Sequence, residues 1–118
     1  MTEPADGCLF CKFASGAIAP AVVLETPTVL AFKDINPQAP THVLIIPKRH
    51  IATLNDLLAS DSMLMGELLL AAKQVAADLG LAEPGYRLAI NCGAGAGQSV
   101  FHVHLHLLGG RKLSWPPG

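Results

Sequence analysis

The sequence has 118 residues, which suffices for one domain with a buried core and is too short for two ordinary domains. Apolar residues make up 51% of the chain and charged residues 14%, which excludes extensive disorder. The formal net charge of −1 argues against a broad surface for nucleic acid or membrane, so any phosphate must be recognised by local groups.

The N-terminal segment 1–6 is acidic and polar, which predicts a flexible arm and not a signal peptide. The most apolar stretch, LMGELLLAAK, contains Glu67 and is too short to cross a bilayer. The three cysteines form an odd set and imply no disulfide framework. We therefore expect a cytoplasmic protein.

The first third of the chain predicts one helix and two strands. GCLFCKFASG is typical of a short helix that ends at Gly16. AVVLE and TVLAFKD are rich in β-branched and aromatic residues and predict two strands.

The middle of the chain predicts a loop, a strand and a long helix. DINPQAPTH contains two prolines and predicts a structured loop, and VLIIP predicts a buried strand. A helix is expected over about 61–79, with Ser60 capping its start and Gly80 ending it. Its apolar residues recur with the helical period: Leu64, Met65, Leu68, Leu69, Ala72, Val75, Ala76 and Leu79.

The last part of the chain predicts two strands around a glycine-rich loop. YRLAIN is the first strand, CGAGAGQS the loop and VFHVHLHLL the second strand. Five strands at hairpin-like spacing with one long helix indicate an α+β domain with an antiparallel sheet.

Three of the five histidines recur at every second position in FHVHLHLLGG. Side chains alternate between the two faces of a strand, so His102, His104 and His106 are expected on one face. The apolar residues between them can pack on the core from the other face. The histidines have three possible roles: a polar outer face, a zinc centre, or nucleophilic and acid–base chemistry.

The loop GAGAGQS, residues 93–99, exposes successive backbone N–H groups that can bind phosphate oxygens. It is not a P-loop, since no Gly-Lys-Ser/Thr follows, and not a dinucleotide fingerprint, since it leads into a strand. Alone it is equally typical of a simple hairpin loop. Beside three aligned histidines, it favours phosphate chemistry.

The stretch GQSVFHVHLHLLGG resembles the signature of the histidine-triad (HIT) family, in which three histidines alternate with apolar residues. The resemblance extends from CLFCKFASG through DINPQAPTHVLIIPKRH and GYRLAIN to WPPG, and is strongest to the Hint branch of nucleoside phosphoramidases. It implies a single HIT domain over 1–118, with a five-stranded antiparallel sheet, one long helix and one short helix.

The resemblance also implies a reaction. Hint-type enzymes cleave the phosphorus–nitrogen bond of AMP or GMP conjugates without a catalytic cofactor. The middle histidine, here His104, attacks the α-phosphorus to form a nucleotidyl-histidine that water hydrolyses. The other residues implied in catalysis are His106 and His42 at the phosphate, with Ser99 as a proton donor or bridge to the leaving amine.

The nucleotide-binding residues implied by the resemblance are Asp34, Ile35, Asn91, Gly97, Gln98, Ser99, His104 and His106. Asp34 would accept from the ribose hydroxyls and Ile35 would contact the base. A turn-forming role for Asp34 and a strand-end role for Asn91 are the alternatives. The loop departs from many relatives at Ala96, where an alanine would be strained if the position required a positive φ.

Cys8 and Cys11 form a Cys-x-x-Cys pair, which is half of a zinc site or a pair of buried helical cysteines. Zinc-containing HIT relatives complete such a site with a histidine after the third strand and the first triad histidine. Here these are His50 and His102. Four protein ligands leave no open position, so the implied zinc is structural. Cys92 lies outside this set.

The tail, residues 111–118, contains Trp115 in WPPG. Alone it is equally typical of a frayed terminus. Hint relatives form homodimers in which a similar tail reaches the partner's site, which implies a C2 dimer with a sheet extended across the interface and Trp115 near the leaving group.

Two other functions remain open at this point. One is a purine-nucleotide-binding regulator with incidental hydrolysis. The other is a zinc-dependent hydrolase that uses the three histidines as metal ligands.

Overall fold

A computed structural model describes residues 7–118, and the predicted arm 1–6 lies outside this range. The main elements are α1 (Leu9–Ser15), β1 (Val22–Glu25), β2 (Val29–Lys33), β3 (Thr41–Pro47), α2 (Ser62–Asp78), β4 (Tyr86–Ala89) and β5 (Leu105–Gly109). The strands form one antiparallel sheet in the order β1-β2-β3-β5-β4. The predicted α+β fold, with five antiparallel strands and two helices, is confirmed.

Helix α2 covers one face of the sheet with small and branched apolar side chains. The buried cluster comprises Val29, Ala31, Val43, Ile45, Leu68, Ala71, Ala72, Val75, Ala76, Leu81, Leu105 and Leu107. The predicted core stripe of this helix is partly wrong, because Leu69 and Leu79 are 53% and 41% exposed whereas Ala71 is buried. The buried surface of the helix contains several small alanines and is narrower than predicted. The leucines at its margins are therefore exposed to solvent.

The start of α2 also differs from the prediction, whereas its end does not. Asp61 is the N-cap residue, and Ser60 lies inside a short 3-10 turn, so the predicted Ser60 cap is wrong. Gly80 has a φ of +74° and donates its N–H to the Ala77 carbonyl at 3.1 Å, which confirms that it ends the helix. Neither helix within residues 7–118 has the length and apolar character needed to cross a membrane.

Helix α1 covers part of the opposite face. Its N-cap residue Cys8 and its buried residues Phe10 and Cys11 pack with Leu30, Phe32, Leu44 and Ile46 of the sheet. Gly16, with a φ of +83°, ends α1 as predicted. Because α1 has only seven residues, it leaves room on this face for polar side chains.

The last strand is shorter than predicted. We expect strand over 100–108, but the β5 ladder begins at Leu105. The preceding backbone groups bond elsewhere: the Val103 N–H donates to the Ile51 carbonyl at 2.6 Å, and the His102 carbonyl accepts from the His104 side chain.

Two glycines lie at the end of β5 in very close packing. A Cβ at Gly109 would come within 2.8 Å of Leu81 Cδ1. A Cβ at Gly110, whose φ is +90°, would come within 2.9 Å of Pro40 Cβ. With Leu81 and Pro40 in these positions, only glycine fits at 109 and 110, where the chain leaves the sheet.

Candidate active site and metal centre

Two histidines from neighbouring strands form a hydrogen-bonded pair. His42 Nε2 lies 2.9 Å from His106 Nδ1, and the Gln38 N–H donates to His42 Nδ1 at 3.0 Å. Since Nδ1 of His42 accepts, a neutral His42 carries its proton on Nε2 and donates it to His106. A neutral His106 then carries its own proton on Nε2.

That Nε2 atom of His106 is buried and has no hydrogen-bond partner within residues 7–118. A buried polar atom left unpaired costs free energy, so its presence indicates a site that receives a ligand. The proton placement above makes this atom a donor. It suits an anionic oxygen.

His104 is oriented by a main-chain group. Its Nδ1 lies 2.8 Å from the carbonyl oxygen of His102, and a carbonyl only accepts, so Nδ1 carries the proton. Nε2 then presents a free lone pair. The ring is buried and packs edge-on against Phe10, with 5.1 Å between ring centroids, and its centroid lies 4.9 Å from that of His106. His104 is thus held in the tautomer that a nucleophile requires.

Burial keeps these histidines neutral. It lowers the pKa of His42 and of His104, and it lowers the pKa of His106 to about 4. The nearby Asp34 carboxylate acts in the opposite direction on all three pKa values, with a smaller effect than burial. Neutral rings are the state that the hydrogen-bond chain above requires.

Asp34 forms a turn, and its ribose-binding role stays a prediction. Its Oδ1 accepts from the Asn36 N–H at 2.9 Å, which forms a turn, and its Oδ2 lies 3.5 Å from His42 Nε2. The next residue, Ile35, is 97% exposed. Asp34 thus lies beside the histidine pair, with an exposed apolar side chain next to it.

The glycine-rich loop contains a 3-10 turn over Ala94–Ala96 between two glycines with positive φ. Gly93 has a φ of +88° and Gly97 a φ of +97°. No described non-glycine residue has a positive φ, so Ala96 is unstrained and the concern about this position is removed. A Cβ on Gly97 would lie 3.7 Å from Asn91 Nδ2, so Asn91 lies beside the loop.

Gln98 holds the loop together. Its buried side chain accepts from the Gly93 N–H at 2.8 Å and donates to the carbonyls of Ala52 at 2.8 Å and Val100 at 3.1 Å. These bonds occupy both the oxygen and the nitrogen of its amide, so the geometry gives Gln98 the role of supporting the loop. A phosphate contact by Gln98 stays a prediction. Ser99, next to it, is exposed, and its bridge to a leaving amine stays a prediction.

The four predicted metal ligands lie together. The donor atoms of Cys8, Cys11, His50 and His102 are all within 4.8 Å of one another. Nδ1 of His102 lies 3.4 Å from Cys8 Sγ, 3.5 Å from Cys11 Sγ and 3.3 Å from His50 Nδ1. Two thiols and two imidazole nitrogens around one point form a donor set that suits tetrahedral zinc.

The surroundings of His102 also suit a metal ligand. Its Nε2 lies 2.7 Å from the Pro47 carbonyl, so that nitrogen carries the proton and Nδ1 has the free lone pair. Burial lowers the pKa of His102 to about 4, which keeps the ring neutral. Cys92, which is partly exposed, is not among these ligands.

The three triad histidines do not converge on one point. Both ring nitrogens of His102 are directed away from the other two, toward the cysteines and toward Pro47. Nδ1 of His104 is directed to a carbonyl, and Nδ1 of His106 to His42. This arrangement does not fit a catalytic metal held by all three histidines.

The tail lies beside the edge strand β4 of its own chain. Trp115 is 81% exposed, and Arg87 Cζ lies 5.9 Å from its ring centroid. Arg87 also donates to the Ser114 carbonyl at 2.9 Å. Arg111 donates to the carbonyl of Gln38, whose N–H orients His42, at 3.0 Å.

Sequence reasoning missed the parts of the site that act through the main chain. Gln38 and Ala52 contribute an N–H and a carbonyl, which any residue type could supply. Phe10 lies in the predicted first helix, and its ring packs against both His102 and His104. No side-chain pattern marks such contributions.

Comparison with known proteins gives a consistent result. The HIT domain family model matches residues 15–113. An uncharacterized HIT-like protein of Synechocystis sp. is 54% identical over 114 residues, which is 97% of this chain and 99% of the relative. A crystal structure of a HIT family hydrolase from Legionella pneumophila is 58% identical with a TM-score of 0.93, covering 95% of this chain and 100% of that one. A histidine triad nucleotide-binding protein from Candida albicans is 36% identical with a TM-score of 0.80, covering 93% and 83%. The chain therefore belongs to the HIT domain family.

Proposed function

We propose that this protein hydrolyses the phosphorus–nitrogen bond of purine nucleoside monophosphate conjugates through a nucleotidyl-His104 intermediate. One observation carries the proposal: the 2.8 Å contact from His104 Nδ1 to the His102 carbonyl, which leaves Nε2 unprotonated in a neutral ring. A neutral imidazole with a free lone pair attacks phosphorus without an external strong base.

The reaction has two steps. The lone pair of His104 Nε2 forms a bond to the α-phosphorus while the bond from phosphorus to the leaving nitrogen breaks, and the leaving amine takes up a proton from solvent with Ser99 as the bridge. Water then attacks the same phosphorus and gives up a proton to solvent, the bond to Nε2 breaks, and the nucleoside monophosphate is released. Covalent catalysis thus divides one difficult displacement into two easier ones.

The negative charge of the phosphoryl oxygens needs donors placed in advance. The unpaired Nε2–H of His106 supplies one, with His42 fixing its tautomer through their 2.9 Å contact. The glycine loop would supply main-chain N–H groups from 94, 95 and 99, with Gly97 lining the site, because the N–H groups of Gly93, Ala96, Gly97 and Gln98 already donate within the loop.

The nucleoside would lie on the 34–35 turn. The Asp34 carboxylate would accept from the ribose hydroxyls, the exposed Ile35 side chain would cover the purine, and Asn91 would contact the nucleotide beside Gly97. AMP and GMP conjugates are both proposed as substrates, since an apolar contact to the base does not discriminate between them.

The named relatives support this proposal at a coarser level. The Legionella pneumophila protein is called a hydrolase, and the Candida albicans protein is called nucleotide-binding. The second name also favours an alternative function, a purine-nucleotide-binding regulator with weak hydrolysis. The experiment below separates the two.

We also propose a structural zinc ion at Cys8, Cys11, His50 and His102, and no cofactor in the chemical step. The four donors suit zinc, and four protein ligands leave no position for a reacting water. Zinc would supply a fixed cross-link between α1 and the histidine segment.

A C2 homodimer is the proposed assembly. Strand β4 is at one edge of the sheet, which leaves backbone groups free to pair with a second copy. Helix α2 exposes Met63, Leu69 and Leu70, which are 78%, 53% and 66% exposed and more apolar than a solvated helix face needs. Trp115 would then approach the partner's leaving-group site.

The test is a single-turnover reaction of the purified protein with an adenosine phosphoramidate. Rapid quenching should trap AMP on His104, and His104→Ala should reduce the rate at least about a thousandfold. Glu83→Ala, an exposed change in the loop between α2 and β4, is the matched control and should react like the wild type.

Other outcomes have defined meanings. Hydrolysis at the wild-type rate by His104→Ala would refute the nucleophile. Tight AMP binding without turnover would instead favour the regulator. A panel of adenosine and guanosine conjugates with different amines would rank the substrates.

A further inference from the structure

We infer that the Cys8–Cys11–His50–His102 centre positions the nucleophile, because His102 belongs to both sites at once. Beyond cross-linking α1 to the histidine segment, metal occupancy sets the ring orientation and tautomer of His104. This positioning role rests on the proposed function for its kinetic readout but not for its spectroscopic one.

His102 is attached at three points. Its Nδ1 faces the two cysteine sulfurs at 3.4 and 3.5 Å, its Nε2 bonds the Pro47 carbonyl at 2.7 Å, and its own carbonyl accepts from His104 Nδ1 at 2.8 Å. The side chain is 0% exposed. A group held this way has little freedom to reorient unless one of its attachments is lost.

The peptide unit between residues 102 and 103 connects the two sites. A peptide is planar, so its carbonyl oxygen and its N–H move together. The oxygen accepts from His104, and the N–H, which belongs to Val103, donates to the Ile51 carbonyl at 2.6 Å. Ile51 directly follows His50, the ligand whose Nδ1 lies 3.3 Å from that of His102.

Both sides of this peptide are therefore next to metal ligands. His102 begins the unit, and His50 precedes the residue that holds its N–H. With zinc bound, the two imidazoles share one centre and the peptide plane is fixed. Without it, the two thiols and the two imidazole nitrogens contact one another at 3.3 to 3.5 Å, and these contacts are weaker than bonds to a metal.

The tautomer of His104 depends on that peptide. If the His102 carbonyl turns away, nothing else in residues 7–118 is bonded to His104 Nδ1 to keep the proton there. The proton can then reside on Nε2, which removes the attacking lone pair. The covalent step should suffer, whereas nucleotide contacts at the 34–35 turn and the glycine loop should not.

The experiment compares zinc-loaded protein with protein stripped by a chelator under reducing conditions. Nitrogen-15 NMR of labelled histidines reports the His104 tautomer, calorimetry gives the AMP Kd, and rapid quench gives the rate of nucleotidyl transfer. We expect removal of the metal to slow the transfer about 10- to 100-fold, as small misplacements of reacting groups do. The AMP Kd should change less than about threefold, a small part of the binding free energy. Added zinc should restore both rate and tautomer.

Two cysteine variants separate the metal centre from general thiol effects. Cys8→Ser removes one ligand and should reproduce the loss, whereas Cys92→Ser changes a cysteine outside the centre and should behave as the wild type. If the stripped chain unfolds by circular dichroism, Cys8→Ser with three remaining ligands provides the comparison in its place.

An unchanged His104 tautomer together with an unchanged transfer rate after metal removal would overturn the inference. If the zinc-loaded protein forms no nucleotidyl intermediate at all, the proposed function fails, and the His104 tautomer alone decides the inference. A slower rate with an equal loss of AMP affinity would also count against it, because that result indicates general loosening of the site.

Discussion

The two faces of the sheet differ in composition, although a single strand contributes residues to both. In β3, Val43 and Ile45 lie in the apolar cluster under α2, whereas His42 and Leu44 lie on the opposite face. The α2 face is held mainly by apolar packing. The α1 face combines aromatic packing with histidines connected by hydrogen bonds. The residues that stabilise the fold and the residues of the candidate site therefore lie on opposite faces of the sheet. Substitutions on each face should have separable effects.

Leu68→Ala should produce the largest loss of stability, on the α2 face alone. Leu68 is fully buried in the cluster, and such truncations cost about 2–5 kcal/mol through lost burial and a residual cavity. Urea unfolding measures the loss. The nucleotidyl-transfer rate per folded molecule should be unchanged. A large fall in that rate would contradict the separation of the faces.

Gln98→Ala should affect the candidate site, and it should lower the free energy of unfolding by less than Leu68→Ala does. It leaves the Gly93 N–H and the Ala52 carbonyl without their partner, at about 1–3 kcal/mol for buried groups. The AMP Kd should rise, because the glycine-rich loop loses its hydrogen bond to the Ala52 carbonyl. Gln98→Glu keeps an acceptor for the Gly93 N–H but loses both donated bonds, so it should raise the AMP Kd as well. An AMP Kd in Gln98→Ala equal to the wild-type value would show that the loop needs no support.

Acid should reduce the stability contributed by the α1 face and leave the contribution of the α2 face unchanged. Burial lowers the pKa of His106 to about 4, below its ordinary value of 6.5, so the folded state binds fewer protons than the unfolded state. The stability from a neutral His106 is therefore complete above about pH 6.5 and is lost as the pH falls toward 4.

Two variants measured by urea unfolding at several pH values check this. The stability difference between the wild type and His106→Asn should shrink as the pH falls from 6.5 to 4. The difference between the wild type and Leu68→Ala should stay constant, since its cluster consists of apolar side chains. Parallel pH curves for both variants would contradict the assignment to His106.

A pair of loop substitutions should give the smallest effects. Gly97→Ala should destabilise by roughly 1 kcal/mol, because a residue with a Cβ rarely adopts its φ of +97°. Ala96→Gly should destabilise by less than about 1 kcal/mol, through unfolded-state entropy alone. Thermal unfolding of the two variants ranks them. The opposite ranking would mean that position 96 carries the strain.

The fold could be predicted from the sequence because its elements are marked by local chemistry. Gly16 and Gly80 end helices, and alternating apolar residues mark the strands. The start of β5 could not be predicted in this way. Residues 102 and 103 alternate like a strand, but their hydrogen bonds go to Ile51 and to a side chain, which depends on the tertiary structure.

The candidate site was predictable to a similar extent. The histidines and the cysteine pair are side-chain signals, and the structure places Cys8 and Cys11 beside His50 and His102 and pairs His42 with His106. The support given by the Gln38 main chain and the actual bonds of Gln98 have no such signal. Likewise, the exposure of Leu69 follows from how closely α2 approaches the sheet, which the helical period alone does not determine.

The glycine pair at the end of β5 has a consequence for how this chain can vary. Gly109 is restricted by the movable side chain of Leu81, so a library of substitutions should recover alanine there together with smaller residues at 81. Gly110 is restricted by its own φ and by Pro40, so no single compensating change opens it. Position 109 should thus vary together with position 81, whereas position 110 should accept no residue other than glycine.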